Sequence, residues 1–180
     1  VWLKYVEANY GIGAIRTMWD LIVEYEAHDA ISRYFRINHG AEFSGVYRDF
    51  ELWNYFTGSR DDGFHYVEGS NYPLVRVMRT HSAYPIDNHE CEDSLSGWGC
   101  NYIRFDNLSN RSGEFRFELF GQLGTEWAMD AIIFESDSDV RYQSEITNHE
   151  GYGRLSVEFY EPVKAAFEKA LKLALAQEKD

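Results

Sequence analysis

Phe50-Glu51-Leu52-Trp53-Asn54-Tyr55-Phe56-Thr57-Gly58 divides the chain. Before it, apolar residues recur at helical spacing; after it, they soon alternate as they do in strands. Phe50, Trp53, Tyr55 and Phe56 fall close together, and buried aromatics carry large apolar area. The stretch is therefore expected to hold a helical half against a β half.

Upstream, residues 2–9 and 12–27 read as helices broken around Gly11 and Gly13. In the second, Ile15, Met18, Trp19, Ile22 and Val23 share one face, which the spacing predicts to be core. A third helix is expected from Asp29, as N-cap, to Ile37, with Gly40 as its stop. A fourth covers 42–57 and ends at Gly58.

Downstream, Ser59 to Tyr66 is turn-rich, and a long connector with an extended piece around Leu74, Val75 and Val77 runs to Pro85. From 101 the period becomes two. Tyr102, Phe105 and then Phe115, Phe117 and Leu119 alternate with Arg116 and Glu118 as a half-buried strand, and Trp127 to Phe134, Val140 to Ile146 and Leu155 to Tyr160 read as three more, separated by Gly/Asn/Ser/Asp turns. Pro162 then opens a helical pattern with Val163, Phe167, Ala170, Leu171 and Ala174 on one stripe. The expected fold is α+β: a helical part over 1–85, a small antiparallel β-sandwich, jelly-roll-like, over 86–160, and an amphipathic C-terminal helix over 161–180.

Composition bounds the function. At 180 residues, 44% hydrophobic and 17% aromatic, the chain can bury a core and is not a disordered polymer. A net charge of -13 repels nucleic acid and acidic membranes. No apolar run approaches the roughly 18 residues of a membrane span. Val1-Trp2-Leu3-Lys4-Tyr5 opens inside an amphipathic pattern, so the expectation is a processed product or a fragment without a leader of its own.

Cys91 and Cys100 flank Trp98 in a Gly/Ser/Asp-rich stretch. A disulfide closing a short surface loop is the favoured reading, which suits an oxidising compartment. Two thiols, or metal ligands joined by His81 or His89, are the alternatives, although the spacing matches no usual close ligand pair.

No complete catalytic constellation is visible. The six histidines, His28, His39, His65, His81, His89 and His149, include no pair at i, i+4 around a glutamate, and there is no Gly-x-Ser-x-Gly elbow. Gly11-Ile12-Gly13 lacks the rest of a phosphate loop and reads as a helix break. Asp61 and Asp62, with Glu68, offer clustered carboxylates for acid/base work or calcium, although an Asp-Asp-Gly turn needs neither. Glu135, Asp137 and Asp139 form a second acidic loop with the same two readings. His81 and Tyr84, beside Pro85, are candidates to donate hydrogen bonds to a substrate carbonyl, with packing of the connector as the alternative.

Trp53-Asn54-Tyr55-Phe56-Thr57-Gly58, Arg60-Asp61-Asp62-Gly63, Tyr72-Pro73 and His81-Ser82-Ala83-Tyr84-Pro85 together resemble a family of secreted bacterial zinc metallopeptidase-like proteins of a myxobacterial type. Trp2 to Tyr5, Tyr10-Gly11 and Ile15 to Trp19 are similar to the stretch that precedes that motif, so the resemblance covers roughly 1–135. It implies that the paired-histidine zinc helix and the third, glutamate ligand precede this region, leaving no metal ligand and no cofactor in this chain. It also implies secretion and a protein or peptide substrate. The strongly helical 164–180 departs from the family, where further strands are expected.

Three functions follow as expectations. The first is the C-terminal portion of a metallopeptidase-like protein, supplying cleft wall and an accessory β module without being catalytic alone. The second is a stand-alone extracellular glycan- or protein-binding module using Trp98 and Tyr102. The third is a metal-free hydrolase using Asp61, Asp62 or His81.

Overall fold

The computed structural model describes residues 1–86, 99–106, 113–136 and 139–159. The architecture is α+β, helices first and antiparallel strands after. The chain divides into two compact units, one of Val1–Met78 with Asp93–Tyr102, the other of Arg79–Glu92 with Ile103–Asp180. The division falls at 78 and again after 102.

Four helices build the first unit: α1 (Trp2–Tyr10), α2 (Ile12–Ile22), α3 (Ala27–His39) and α4 (Phe43–Tyr55). Gly11, at φ +81, separates α1 from α2, a conformation open to a residue without Cβ. Gly40, at φ +62, closes α3 with its own N–H on the Arg36 carbonyl, as its place after the periodic run predicts. Asp29 is not the N-cap. Glu26 holds that place without a side-chain bond, and Asp29 sits in the first turn, where its charge suits the helix dipole.

Tyr5, Val6, Ala14, Met18, Tyr34, Phe35, Val46, Phe50 and Tyr66 are buried together. Trp2 lies edge-on to Phe35, Phe43 and Phe50 with ring centroids 5.1–6.2 Å apart, the geometry that opposes positive ring edges to negative faces. The Tyr5 hydroxyl donates to Asp49 at 2.7 Å, and burial raises its pKa far above the ordinary phenol value.

The α2 stripe is only partly core. Ala14 and Met18 are buried and Leu21 packs beside them, while Trp19 is 60% and Val23 86% exposed. The helix meets its neighbours through the side carrying 14, 18 and 21, about a third of a turn away from the face that the spacing pointed to.

The remaining strands are β1 (Val77–His81), β2 (Tyr102–Phe105), β3 (Gly113–Phe120), β4 (Ala128–Ser136), β5 (Asp139–Ile146) and β6 (Tyr152–Phe159). They pair as β1 with β2, β3 with β6 and β4 with β5. The extended piece therefore begins at Val77 and not at Leu74. In β3 and β6, Phe117 faces Leu155 and Phe115 faces Val157 across an antiparallel ladder, so odd-numbered residues share one side. Ile133, Leu155 and Val157 are buried with Phe117, Met129 and Ala131 packed on them.

Gly121 N–H donates to the Gly151 carbonyl at 2.8 Å, one step beyond the β3–β6 ladder. Alternation then makes the odd pairs hydrogen-bonded and turns the Ser156 and Glu158 carbonyls away from β3. They accept from β5 side chains instead: Gln143 Nε2 to Ser156 at 2.7 Å and Arg141 Nη2 to Glu158 at 3.0 Å. β5 thus adjoins β6 through side chains and not through a ladder. The described strands accordingly pair as two-stranded ribbons, where a small antiparallel sandwich, jelly-roll-like, was expected.

The 161–180 helix, Cys91, Trp98 and His89 lie outside the described residues, as do the side chains of Glu135, Asp137 and Asp139. No helix among the described residues is long and apolar enough to cross a membrane.

Candidate functional site

The stretch after α4 folds back on itself. Phe56, at φ -88 and ψ 59, ends the helix, and Thr57 turns extended with a 2% exposed side chain. Thr57 Oγ1 lies 3.0 Å from both the Asn54 and the Pro73 carbonyls, tying the helix end to the returning chain. The two carbonyls share its single hydrogen, and a buried hydroxyl bond of this kind contributes about 1 kcal/mol net. Gly58 follows at φ +58, and a Cβ there would sit 3.0 Å from Leu74 Cγ.

Arg60 stacks over the Tyr55 ring at 4.3 Å and donates through Nη2 to the Val75 carbonyl at 2.7 Å. Its Nη1 is buried with no hydrogen-bond partner among the described residues. Tyr66, also buried, donates to Asn54 Oδ1 at 3.0 Å and packs edge-on to Trp53 and Tyr72. Trp53, Asn54, Thr57, Arg60, Tyr72 and Pro73 are thus parts of one knot.

Asp61 and Asp62 sit at the turn of this knot, and their carboxylates face different partners. Asp61 Oδ1 accepts from Gly63 N–H at 3.0 Å, and its carboxylate lies so close to Gly69 that a Cβ there would meet Oδ1 at 2.7 Å. Asp62 Oδ1 accepts from the Phe64 and His65 N–H groups, and both carboxylate oxygens lie within 3.0 Å of His65 Nδ1. Burial by itself would raise the Asp62 carboxyl. The His65 bond and the backbone donors outweigh it and hold the group below the ordinary carboxyl range.

His65 lies flat on Phe56, with ring centroids 4.1 Å apart and planes 4° from parallel, and stands edge-on to Trp53. This pair fixes Nδ1 as the nitrogen turned to the carboxylate, which orients the imidazole as a dyad would. Among the described residues no hydroxyl or thiol is hydrogen-bonded to His65 as a nucleophile would be. Sequence reading passed over His65 because its signal, a histidine three residues after the second aspartate of an Asp-Asp-Gly turn, is common in ordinary loops.

His81 and Tyr84 belong to the other unit. The His81 ring stacks on Phe105 at 5.4 Å. The Tyr84 hydroxyl reaches the His81 carbonyl at 3.0 Å and the Asp106 carbonyl at 2.7 Å, spending its donor on the backbone. Among the described residues no three His, Cys, Asp or Glu side chains form a metal-holding group.

A second cluster lies along α4. The Tyr102 hydroxyl lies 2.6 Å from the Glu51 carbonyl and 3.0 Å from its carboxylate. Burial, then the neighbouring Cys100 and Glu51, push its pKa far up. Burial and the Glu51 carboxylate likewise push Tyr47 up to about 12. Tyr102 is therefore half-buried and belongs to the helical unit, where its hydroxyl is held by Glu51. Sequence reading missed Glu51, whose partner is distant in the chain.

Comparison with protein-family models, curated proteins and solved structures gives no match.

Proposed function

We propose that this chain serves as the C-terminal portion of a secreted metallopeptidase-like protein acting on protein or peptide substrates. Its helical unit supplies cleft wall and its β unit is an accessory module. The zinc ligands belong to residues preceding this region, and the chain is not catalytic by itself. A Cys91–Cys100 disulfide, a fuller sandwich and a C-terminal helix over 161–180 belong to the same reading.

One observation carries it: residues of the family-like motif spend polar groups on one another and on the loop around them. Thr57 holds the Asn54 and Pro73 carbonyls, Arg60 holds Val75, Tyr66 holds Asn54, and Asp62 holds His65. Side chains consumed in this way shape a surface and leave little to attack a substrate. That is the economy of a supporting wall.

The test uses the purified chain equilibrated with zinc and freed of excess ion. Expected are no stoichiometric zinc by elemental analysis and no cleavage of casein. One zinc bound tightly per chain, together with hydrolysis, would overturn the reading.

A further inference from the structure

α2 buries the side carrying Ala14, Met18 and Leu21 and turns another outward, made of Ile12, Arg16, Trp19 and Val23. Ile12 is 67% exposed, and Trp19 and Val23 are exposed as given above. Single exposed apolar residues need no explanation, but an aligned row including a tryptophan marks an interaction surface. Val23, just past the helix end, keeps helical angles of φ -65 and ψ -30, so the row runs unbroken to it.

The order along the row is apolar, arginine, tryptophan, apolar, at spacings of four, three and four. That spacing is the seam of a coiled coil, whose antiparallel form pairs each kind of core position with the other kind. Reversed and laid on itself, the row is self-complementary. Ile12 meets Val23 and Arg16 meets Trp19, each pair occurring twice about a two-fold axis. Guanidinium over indole is the favoured cation–π pairing. Parallel alignment would instead set Arg16 against Arg16, and a shift by one turn would strand both arginines on aliphatic side chains.

We propose that the outer face of α2 is an interface with a second copy of this chain, the two helices antiparallel. It uses none of the side chains between Asn54 and Val75 whose hydrogen bonds carry the proposed function. A seam this short buries less than the roughly 800 Å² per partner of a standard interface, so the dimer is a weak one. The charge of -13 on each copy opposes association and is screened at about 0.15 M salt.

Sedimentation equilibrium of the full chain from about 1 μM to 1 mM tests this. The average mass is expected to climb from 21.0 kDa towards twice that value. R16E sets a carboxylate against the indole, and W19R sets arginine against arginine. Each should move the midpoint at least about tenfold to higher concentration. R16E/W19R places glutamate opposite arginine and should recover the association lost in W19R. Both positions changed, 16 and 19, are exposed, and circular dichroism checks that the helices persist. A chain that stays at 21.0 kDa throughout, as it would if another protein covers this face, overturns the proposal. So do single variants that associate like the parent, or a double variant that does not recover.

Discussion

Asp62 shows how one side chain couples a turn to its surroundings. Its carboxylate receives two backbone N–H groups and the His65 ring, and its folded pKa is lowered as a result. A carboxyl with a lowered folded value stabilises the fold above its unfolded value, and that contribution disappears as pH falls through the folded one. Stability of the parent should therefore drop below about pH 3.8 in part through this group. Asp62→Asn should be about 1 kcal/mol less stable at neutral pH and should lose less on acidification. Urea unfolding followed at pH 6 and at about pH 3 checks this, and equal acid losses in the two proteins would count against it. The sequence showed Asp61 and Asp62 as a pair, because adjacency is all that a string displays. It could not show that the two carboxylates turn to different partners, since backbone torsions at the turn decide that.

Among the elements, the strands were readable where one face was wet. β3 alternates Phe115, Phe117 and Leu119 with Arg116 and Glu118, and its register follows that alternation. α3 was readable from Gly40. The outward turn of α2 was not, since Ile15, Met18 and Trp19 satisfy a helical period whichever side finds a neighbour. Nor was the meeting of β5 and β6, which rests on Gln143 and Arg141, residues that in a sequence look like solvent-facing positions of a strand. Gln143→Ala removes the donor to Ser156 and should cost about 1 kcal/mol. It also uncovers a strand edge, which invites intermolecular pairing. Slower clearing of light scattering on refolding, beside a lower urea midpoint, is the expected outcome. Unchanged values for both would deny the side-chain bridge its role.

For the whole molecule, the aromatic content was a correct guide to a folded chain, and the change of period marked where helices give way to strands. The sequence did not reveal how the chain passes between its units, because Tyr102 reads as the start of a strand while its hydroxyl holds Glu51 on α4. Cys100, two residues earlier, is exposed. If it is paired with Cys91, reduction of the natively produced protein adds the mass of two hydrogens in intact-mass spectrometry, and no change excludes the pair. The chain leaves the helical unit after Met78, rejoins it by Tyr102 and leaves again at Ile103. Neither unit is therefore a contiguous gene segment. Splitting the coding sequence anywhere between these points hands part of one unit to the other, and one protease nick there leaves the two covalently linked. Activity or stability must be assigned within the intact chain, by substitution and not by dissection.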